Sequence, residues 1–172
     1  MKKLELLFLA VVPIMLMAQS QVNDRGYIVK VGEMCPDFLI ELPNGSKTSI
    51  NELRGKVVML QFTASWCSVC RKEMPHIEKD IWQVYKSKGL VLYGIDRGET
   101  PEVTMAFAKK MNITYPLALD EDGTIFQKFA LKKAGVTRNI LIDKTGRIIY
   151  LTRLFNMDEF NGLKNKISEL IE

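Results

Sequence analysis

The chain has 172 residues, of which 47% are hydrophobic, and it carries a formal net charge of +4. A chain of this length and composition can form one domain around a proper apolar core, so it needs no disulfide framework. The mild basic bias comes with no long run of Lys and Arg, which argues against nucleic acid as a partner.

The first residues have the pattern of a cleaved signal peptide. Lys2 and Lys3 form a positive start, residues 4–17 are apolar apart from Glu5, and Ala18 supplies a small residue for cleavage. A retained membrane anchor is the alternative, but the apolar stretch contains a proline and is shorter than the ~20 residues of a spanning helix. No cysteine stands at the cleavage point to carry a lipid. We therefore expect a periplasmic or secreted protein.

The expected domain boundaries follow from that signal. Residues 1–18 are the predicted signal peptide, residues 19–30 a polar lead-in and residues 31–172 the folded domain. Export would expose any thiol pair in the domain to an oxidising compartment. Three cysteines in such a chain fit one working pair and one bystander.

Strand and helix patterns alternate along the domain. Residues 38–50 predict a β-hairpin that turns at the sequence Pro-Asn-Gly. A continuous apolar run predicts a buried strand at 57–62, and a helix follows at about 67–87, kinked at Pro75 because proline removes a backbone donor. The remaining predictions are a strand at 90–96, a helix from Thr100 with a buried stripe of Val103, Ala106, Phe107 and Met111, a strand at 117–119, a short helix at 125–129, a hairpin of strands 140–142 and 148–152, and a last helix at 158–171. This order favours an α/β fold with a central mixed sheet.

Cys67 and Cys70 carry most of the functional information, because they stand between the buried strand and the helix. Two thiols separated by two residues can close a disulfide where the backbone turns tightly, as it does in the first turn of a helix. That turn also offers free backbone N–H groups and the positive end of the helix dipole, which stabilise a thiolate at Cys67. A strand, this motif and a helix together predict a redox site.

The residues around the pair resemble a known family. Residues 66–75, Trp-Cys-Ser-Val-Cys-Arg-Lys-Glu-Met-Pro, are similar to the active site of thioredoxin-fold oxidoreductases, and most similar to the exported TlpA/ResA-like branch, which is related to AhpC/TSA proteins. The segments 31–38 and 140–149 resemble the entry segment and closing hairpin of that branch. The resemblance implies a thioredoxin fold, with the central mixed sheet flanked by helices on both faces, an N-terminal β-hairpin and a βα insertion at 100–129.

Each cysteine has a predicted role in exchanging disulfides with client proteins. Cys67 is the expected nucleophile, and Cys70 is the expected resolving thiol, which attacks the mixed disulfide and releases the reduced client. A purely structural disulfide is the alternative, but closing a two-residue loop restrains little chain entropy. The resemblance favours reduction as the direction and implies a membrane electron donor of the DsbD/CcdA type.

Glu73 is the third predicted catalytic residue. It lies one helical turn beyond Cys70 on roughly the same face, where a partly buried carboxylate can accept and return the proton of that thiol. Thioredoxins proper use a buried Asp on the preceding strand, at the position of Gln61, which cannot titrate. ResA-like proteins carry Glu at the position of Glu73. A solvated surface carboxylate is the alternative.

Trp66, Val136 and Thr137 are the residues expected at the client-docking surface. Trp66 would form a wall of the site, although a core position would be equally compatible with its side chain. Thioredoxin-fold oxidoreductases place a cis-proline opposite the cysteine pair, and alignment puts Thr137 at that position. A cis bond before a residue other than proline costs ~3–4 kcal/mol. We therefore expect a trans Val136–Thr137 bond, with Thr137 still lying against the cysteines.

No metal or other cofactor is expected. The only histidine, His76, falls far round the helix from both thiols, and no second Cys-X-X-Cys motif completes a zinc site. Cys35 is expected to be small, buried and inert, since a free cysteine often behaves as a small hydrophobic residue. A third redox-active thiol is the alternative for that position.

Two other functions are compatible with parts of the sequence. The entry segment and the region 100–129 also resemble peroxiredoxin-like thiol peroxidases, in which a Thr normally stands three residues before the reactive Cys. Here Ser65 and Trp66 fill the positions just before Cys67, and Thr63 lies four residues back. A non-catalytic thioredoxin-like binding module is the third possibility, against which the intact cysteine pair argues.

Overall fold

The chain alternates strands and helices in the order that the sequence predicted. In the computed structural model, which describes residues 25–171, the elements are β1 (Leu39–Glu41), β2 (Lys47–Ser49), a 3₁₀ turn (Ile50–Leu53), β3 (Val57–Thr63), α1 (Ser68–Ile77), a π-helical segment (Glu78–Trp82), α2 (Gln83–Tyr85), a second 3₁₀ turn (Lys86–Lys88), β4 (Leu90–Arg97), α3 (Pro101–Met111), β5 (Leu117–Asp120), α4 (Thr124–Gln127), β6 (Arg138–Ile142), β7 (Ile148–Arg153) and α5 (Met157–Ile171). The predicted signal peptide lies outside the described residues.

A five-stranded mixed sheet with the order β5-β4-β3-β6-β7 forms the centre of the fold. All seven residues of β3 are buried, as its unbroken apolar run predicts for a central strand. Strands β4 and β5 continue the sheet in parallel on one side of β3, whereas β6 and β7 are antiparallel on the other side. This topology, with the separate β1–β2 hairpin, confirms the predicted thioredoxin fold.

The two faces of the sheet are covered by different layers. On one face, Met59 of β3 packs in a cluster with Met74 of α1, Phe107 of α3 and Phe160 of α5. On the other face, residues of β3 pack with α4, the 3₁₀ turn at 50–53 and the β1–β2 hairpin. The sheet is therefore buried between two apolar layers, and the residues at the carboxyl end of β3 lie where both layers meet the surface.

The long helix predicted after the cysteine pair is interrupted rather than continuous. Pro75 lies inside α1, and three residues later the helix passes into the π-helical segment Glu78–Trp82, which ends where Gln83 donates its backbone N–H to the carbonyl of Glu78. A proline lacks the N–H that would bind the carbonyl one turn back, so a local change of helical register is a physical means of keeping the later groups paired. The structure thus has an irregular segment after Pro75, while the kink predicted at Pro75 itself stays a prediction.

The buried stripe predicted for α3 is partly wrong. Phe107 is buried, but Val103 and Ala106 face outward and Met111 is half-buried. The buried residue on that face is instead Thr104, whose hydroxyl donates to the carboxyl of Asp96 at 2.7 Å. The inward face of α3 therefore includes a polar residue, which an apolar pattern cannot indicate.

The described chain begins with residues that pack against the domain. Tyr27 and Val29 are buried, and Tyr27 pairs with Ala130 in an isolated antiparallel bridge. Arg25 forms an ion pair with Glu159 of α5. Within residues 25–171, no helix is both long enough and apolar enough to cross a membrane.

Candidate active site

The two cysteines lie at the start of α1 and are joined by a disulfide, with their Cα atoms 5.3 Å apart. Cys67 is the N-cap residue of the helix, and the backbone N–H of Cys70 points at its sulfur at 3.1 Å. Cys67 is 7% exposed, whereas Cys70 is fully buried. On reduction, the helix terminus and this N–H would stabilise a thiolate at the outer sulfur.

Thr137 is the residue that faces the disulfide from the opposite side. Its hydroxyl oxygen lies 3.1 Å from Sγ of Cys67 and 3.2 Å from Sγ of Cys70. No peptide bond within residues 25–171 is cis, so the Val136–Thr137 bond is trans, as predicted. A hydroxyl therefore stands where the resembled family carries an apolar proline ring.

Glu73, on the same helix as the cysteine pair, lies in a buried polar network and is its only carboxylate among residues 25–171. Its two oxygens accept hydrogen bonds from Nδ2 of Asn139 at 2.7 Å and from Nε2 of Gln61 at 3.3 Å. The Tyr115 hydroxyl donates to Gln61 Oε1 at 2.7 Å, and Asn139 also donates to the hydroxyl of Thr152 at 2.9 Å. Glu73 thus connects α1 with β3 and with the neighbouring strand β6.

Burial controls the ionisation of Glu73, which is 1% exposed. The loss of water raises the pKa of its carboxyl from 4.5 to about 7, because the hydrogen bonds from Asn139 and Gln61 offset only part of the desolvation. No basic side chain donates to the carboxylate among the described residues. Glu73 can therefore change its protonation state near neutral pH, which is what a proton acceptor for a thiol requires.

Asn139 and Tyr115 are members of this network that the sequence analysis missed. They come from β6 and from the residues before β5, and neither stands near Glu73 in sequence. The one signal that could have found Asn139 is strand register, because Asn139 lies directly beside Gln61 in the antiparallel pair of β3 and β6. Asn139 is the second residue of β6, and the sequence around it does not indicate Glu73 as its partner.

Guanidinium groups hold the loop that leads to Thr137. Arg97, Arg138 and Arg153 donate to the backbone carbonyls of Lys132, Gly135 and Thr137 at 2.8, 3.1 and 3.5 Å, respectively. Arg138 is fully buried, and its guanidinium stacks over the ring of Tyr27 at 4.3 Å. These contacts fix the backbone of the residue that faces the disulfide, and they bring positive charge close to it.

The predicted docking residues differ widely in exposure. Trp66 is 62% exposed next to Cys67, so it is part of the surface and not a core residue. Val136 and Thr137 are only 3% and 2% exposed. In the disulfide form, Trp66 alone of the three presents an area that a client can contact, whereas Thr137 faces the sulfurs.

Cys35 is buried away from the disulfide bond and is the only free cysteine in residues 25–171. Burial raises the pKa of its thiol to about 12, which keeps the thiol protonated and unreactive at neutral pH. Within the same residues, no group of three or more His, Cys, Asp or Glu side chains could hold a metal ion. His76 instead lies 3.6 Å from Asp80 and stacks on Phe155.

A cysteine pair at the N-terminus of the helix that follows the central strand of this sheet defines a thioredoxin-fold protein with a dithiol–disulfide site. The match to known proteins agrees with that class. The chain belongs to the AhpC/TSA family, whose model matches residues 31–151. Within it, the chain is ResA/TlpA-like and is a thiol–disulfide oxidoreductase.

The names of the similar proteins also refer to thiol–disulfide chemistry. The thiol-disulfide oxidoreductase ResA of Bacillus thuringiensis subsp. konkukian is 31% identical over 155 residues, which cover 87% of this chain and 88% of the relative. The solution structure of a candidate protein disulfide isomerase from Bacteroides thetaiotaomicron is 57% identical with a TM-score of 0.82, covering 85% of this chain and 92% of that chain. A candidate thiol:disulfide interchange protein DsbE from Chlorobium tepidum shares the fold, with 24% identity, a TM-score of 0.73 and coverage of 84% of this chain and 99% of that chain.

Proposed function

We propose that the protein reduces disulfides in client proteins, with Cys67 as the nucleophile and Cys70 as the resolving thiol. The Cys67 thiolate attacks one sulfur of the client disulfide, and the other client sulfur leaves as a thiolate that takes up a proton. Cys70 then attacks Sγ of Cys67, which forms the intrachain disulfide and releases the second client thiolate. Two electrons pass to the client, and Cys67–Cys70 is oxidised.

Glu73 supplies the base that this second step needs. Cys70 is fully buried, so its thiol has no solvent to take its proton when it becomes a nucleophile. The carboxylate of Glu73, with a pKa near 7, can accept that proton and later return it. In the neutral carboxyl form, a rotated Asn139 amide would accept the proton of Glu73 through Oδ1, an atom that has no hydrogen-bond partner in the described chain. The network can therefore hydrogen-bond to both the ionised and the protonated form of Glu73.

Reduction of clients requires a source of electrons and a compartment in which clients become oxidised. We propose that the protein is exported through residues 1–18 and acts in the periplasm or outside the cell. A membrane donor of the DsbD/CcdA type would reduce the Cys67–Cys70 disulfide after each cycle. The similarity to thiol-disulfide oxidoreductase ResA supports this assignment. Trp66, the exposed side chain next to Cys67, would make the first contact with either partner.

The observation that carries the proposal is the unequal exposure of the two cysteines at a helix N-terminus, since Cys67 is 7% exposed and Cys70 is fully buried. A Cys70→Ser variant should trap clients as mixed disulfides on Cys67, which mass spectrometry of the cross-linked cysteines would identify. Cys35→Ser serves as the matched control and should trap nothing. Mixed disulfides on Cys35, or none on Cys67, would contradict the assignment.

The peroxidase alternative is tested in parallel. A thiol peroxidase would consume hydrogen peroxide stoichiometrically with an added dithiol, and Cys67→Ser would abolish that consumption. We expect peroxide turnover no faster than that of the free dithiol, together with efficient reduction of a disulfide-bonded peptide. Rapid peroxide turnover dependent on Cys67 would favour the peroxidase instead.

A further inference from the structure

Ser65, two residues before Cys67, is bound by side chains through every polar group it has. The carboxylate of Glu99 accepts its backbone N–H at 2.8 Å and also accepts its hydroxyl. Arg71 of α1 donates to its backbone carbonyl. Ser65 is therefore clamped between the loop after β4 and the helix that carries the cysteines. The chain between this clamp and Cys67 consists of the exposed Trp66 alone.

The second carboxyl group at this place is Asp96, which is fully buried at the end of β4. Its Oδ2 accepts the Thr104 hydroxyl at 2.7 Å, but Oδ1 has no hydrogen-bond donor among the described residues. Burial, and after it the neighbouring Glu99 carboxyl, raise the pKa of Asp96 from 3.8 to about 7. Two ionised carboxylates in such contact would repel each other, whereas a proton held between them satisfies Oδ1.

Two basic residues lie beside the Ser65 clamp. Arg71 and Lys110 line, with Ser65, a cavity of about 230 Å³ beside the clamp. Glu102 on the first turn of α3 is turned away, since its carboxylate accepts the Thr100 hydroxyl at 2.8 Å. The neighbouring residue on β3, Thr63, cannot ionise. Asp96 is fully buried and Glu99 is half-buried, so Asp96 holds the shared proton and Glu99 accepts the hydrogen bonds of Ser65.

We propose that Glu99 is a positioning residue for the oxidoreductase site, which holds Trp66 and Cys67 in place through Ser65, and that a proton shared with Asp96 keeps Glu99 in that position. The proposal rests on the proposed function of Cys67 as the attacking thiol. When the pair loses its shared proton, repulsion moves Glu99 away from Asp96. The two hydrogen bonds that Glu99 accepts from Ser65 then weaken. Trp66 then becomes mobile, and the docking surface beside Cys67 loses its fixed geometry.

The experiment follows the mobility of Trp66 by fluorescence anisotropy in a Trp82→Phe background, which leaves one tryptophan. Wild-type anisotropy should fall as the pH rises above neutrality. Asp96→Asn, whose amide donates to Glu99 at every pH, should keep the anisotropy constant over the same range. Glu99→Ala should give low anisotropy at all pH values, and Glu99→Gln, which retains one acceptor oxygen, should recover part of the difference. Unchanged anisotropy in Glu99→Ala, or a persisting pH dependence in Asp96→Asn, would overturn the proposal.

Activity provides a second measurement. Glu99→Ala should lower kcat/KM for reduction of a disulfide-bonded peptide by about tenfold, the usual worth of a hydrogen bond to a charged group. Glu102→Ala removes an exposed carboxylate in the first turn of α3, three residues after Glu99; it is the matched control and should change neither anisotropy nor rate. If Glu99→Ala does not fold, Ser65→Ala removes only the hydroxyl contact and should shift both measurements in the same direction. A wild-type protein that reduces no disulfide would refute the proposed function, while the anisotropy series would still decide the role of Glu99.

Discussion

The hydroxyl of Thr137 lies 3.1 Å from the sulfur of Cys67, close enough for a hydrogen bond to that atom. In the disulfide form neither sulfur needs a donor, but a thiolate at Cys67 does. The Thr137 hydroxyl is then a donor already in position, held by the contact of Arg153 with its backbone carbonyl. A proline at this position could offer no such donor, so Thr137 changes the chemistry of the site as well as its shape.

Removal of the Thr137 hydroxyl should make the thiolate less stable. In the reduced protein, Thr137→Val should raise the pKa of Cys67 by about one unit or more, since a hydrogen bond to a charged group contributes about 1.5–3 kcal/mol. The pKa is measured from the ultraviolet absorbance of the thiolate as a function of pH. Because the reduced form loses stabilisation, the reduction potential against glutathione should also become more negative.

Thr137→Ser is the matched control for that substitution, because it keeps the hydroxyl and removes only a methyl group. It should have a Cys67 pKa close to that of the wild type. If Thr137→Val and Thr137→Ser titrate alike, the hydroxyl does not stabilise the thiolate, and Thr137 only fills space beside the disulfide.

Glu73→Gln should stabilise the folded protein at alkaline pH while impairing its chemistry. The wild-type carboxyl has a pKa of about 7 in the folded state and an ordinary value near 4.5 when unfolded. Stability is therefore greatest below the unfolded pKa, falls as the pH rises between these values, and is constant above pH 7. The rise from 4.5 to about 7 corresponds to about 3 kcal/mol. Urea unfolding at pH 8 should show Glu73→Gln more stable by up to this amount, with little difference at pH 4.

Glu78→Gln provides a control of opposite sign. Glu78 accepts the backbone N–H of Thr114 at 2.8 Å, and its hydrogen bonds hold the pKa of its carboxyl below the ordinary value. The contribution of Glu78 to stability is thus present above the unfolded pKa and is lost in acid, so Glu78→Gln should destabilise the protein at neutral pH. A Glu73→Gln variant that also loses stability at pH 8 would show that its carboxylate is structurally required.

The sequence predicted the sheet and helices because those elements depend on local patterns. The apolar run of β3 and the Pro-Asn-Gly turn can be recognised in the sequence without any knowledge of the fold. The site required more, since Glu73 is positioned by Asn139 from β6 and Gln61 from β3. Nothing in the sequence around Asn139 indicates that partner, and only the register between the two strands brings them together.

The error on α3 has the same origin. Val103 and Ala106 fit an apolar stripe at helical spacing, but Thr104 turns inward because Asp96 on β4 is buried and needs a donor. The face of α3 that packs into the core therefore consists of Thr104, Phe107, Ala108 and Met111 rather than of apolar residues alone. Hydrogen bonds between polar side chains of different helices and strands cannot be predicted from hydrophobic periodicity.

The Cys67–Cys70 disulfide should contribute little to the stability of the fold. Its loop is so short that the entropy it removes from the unfolded chain is worth about 2 kcal/mol. Urea unfolding with and without a strong reductant should give a small shift in the free energy of unfolding, and the reduced protein should remain folded at room temperature. A reduced protein that unfolds would restore the interpretation of a structural disulfide.

The order of reaction of the three thiols is the most direct prediction about the nucleophile. In the reduced protein, iodoacetamide should modify Cys67 first, at a rate that shows a pKa below the ordinary ~8.5, because the helix terminus and the N–H of Cys70 stabilise its thiolate. Cys35 should react last, since burial raises its pKa to about 12. Mass spectrometry of the alkylated peptides across neutral pH gives the three rates, and Cys70→Ser should leave Cys67 reactive. Faster modification of Cys70 or Cys35 in the folded wild-type protein would reverse the assignment of attacking and resolving thiols.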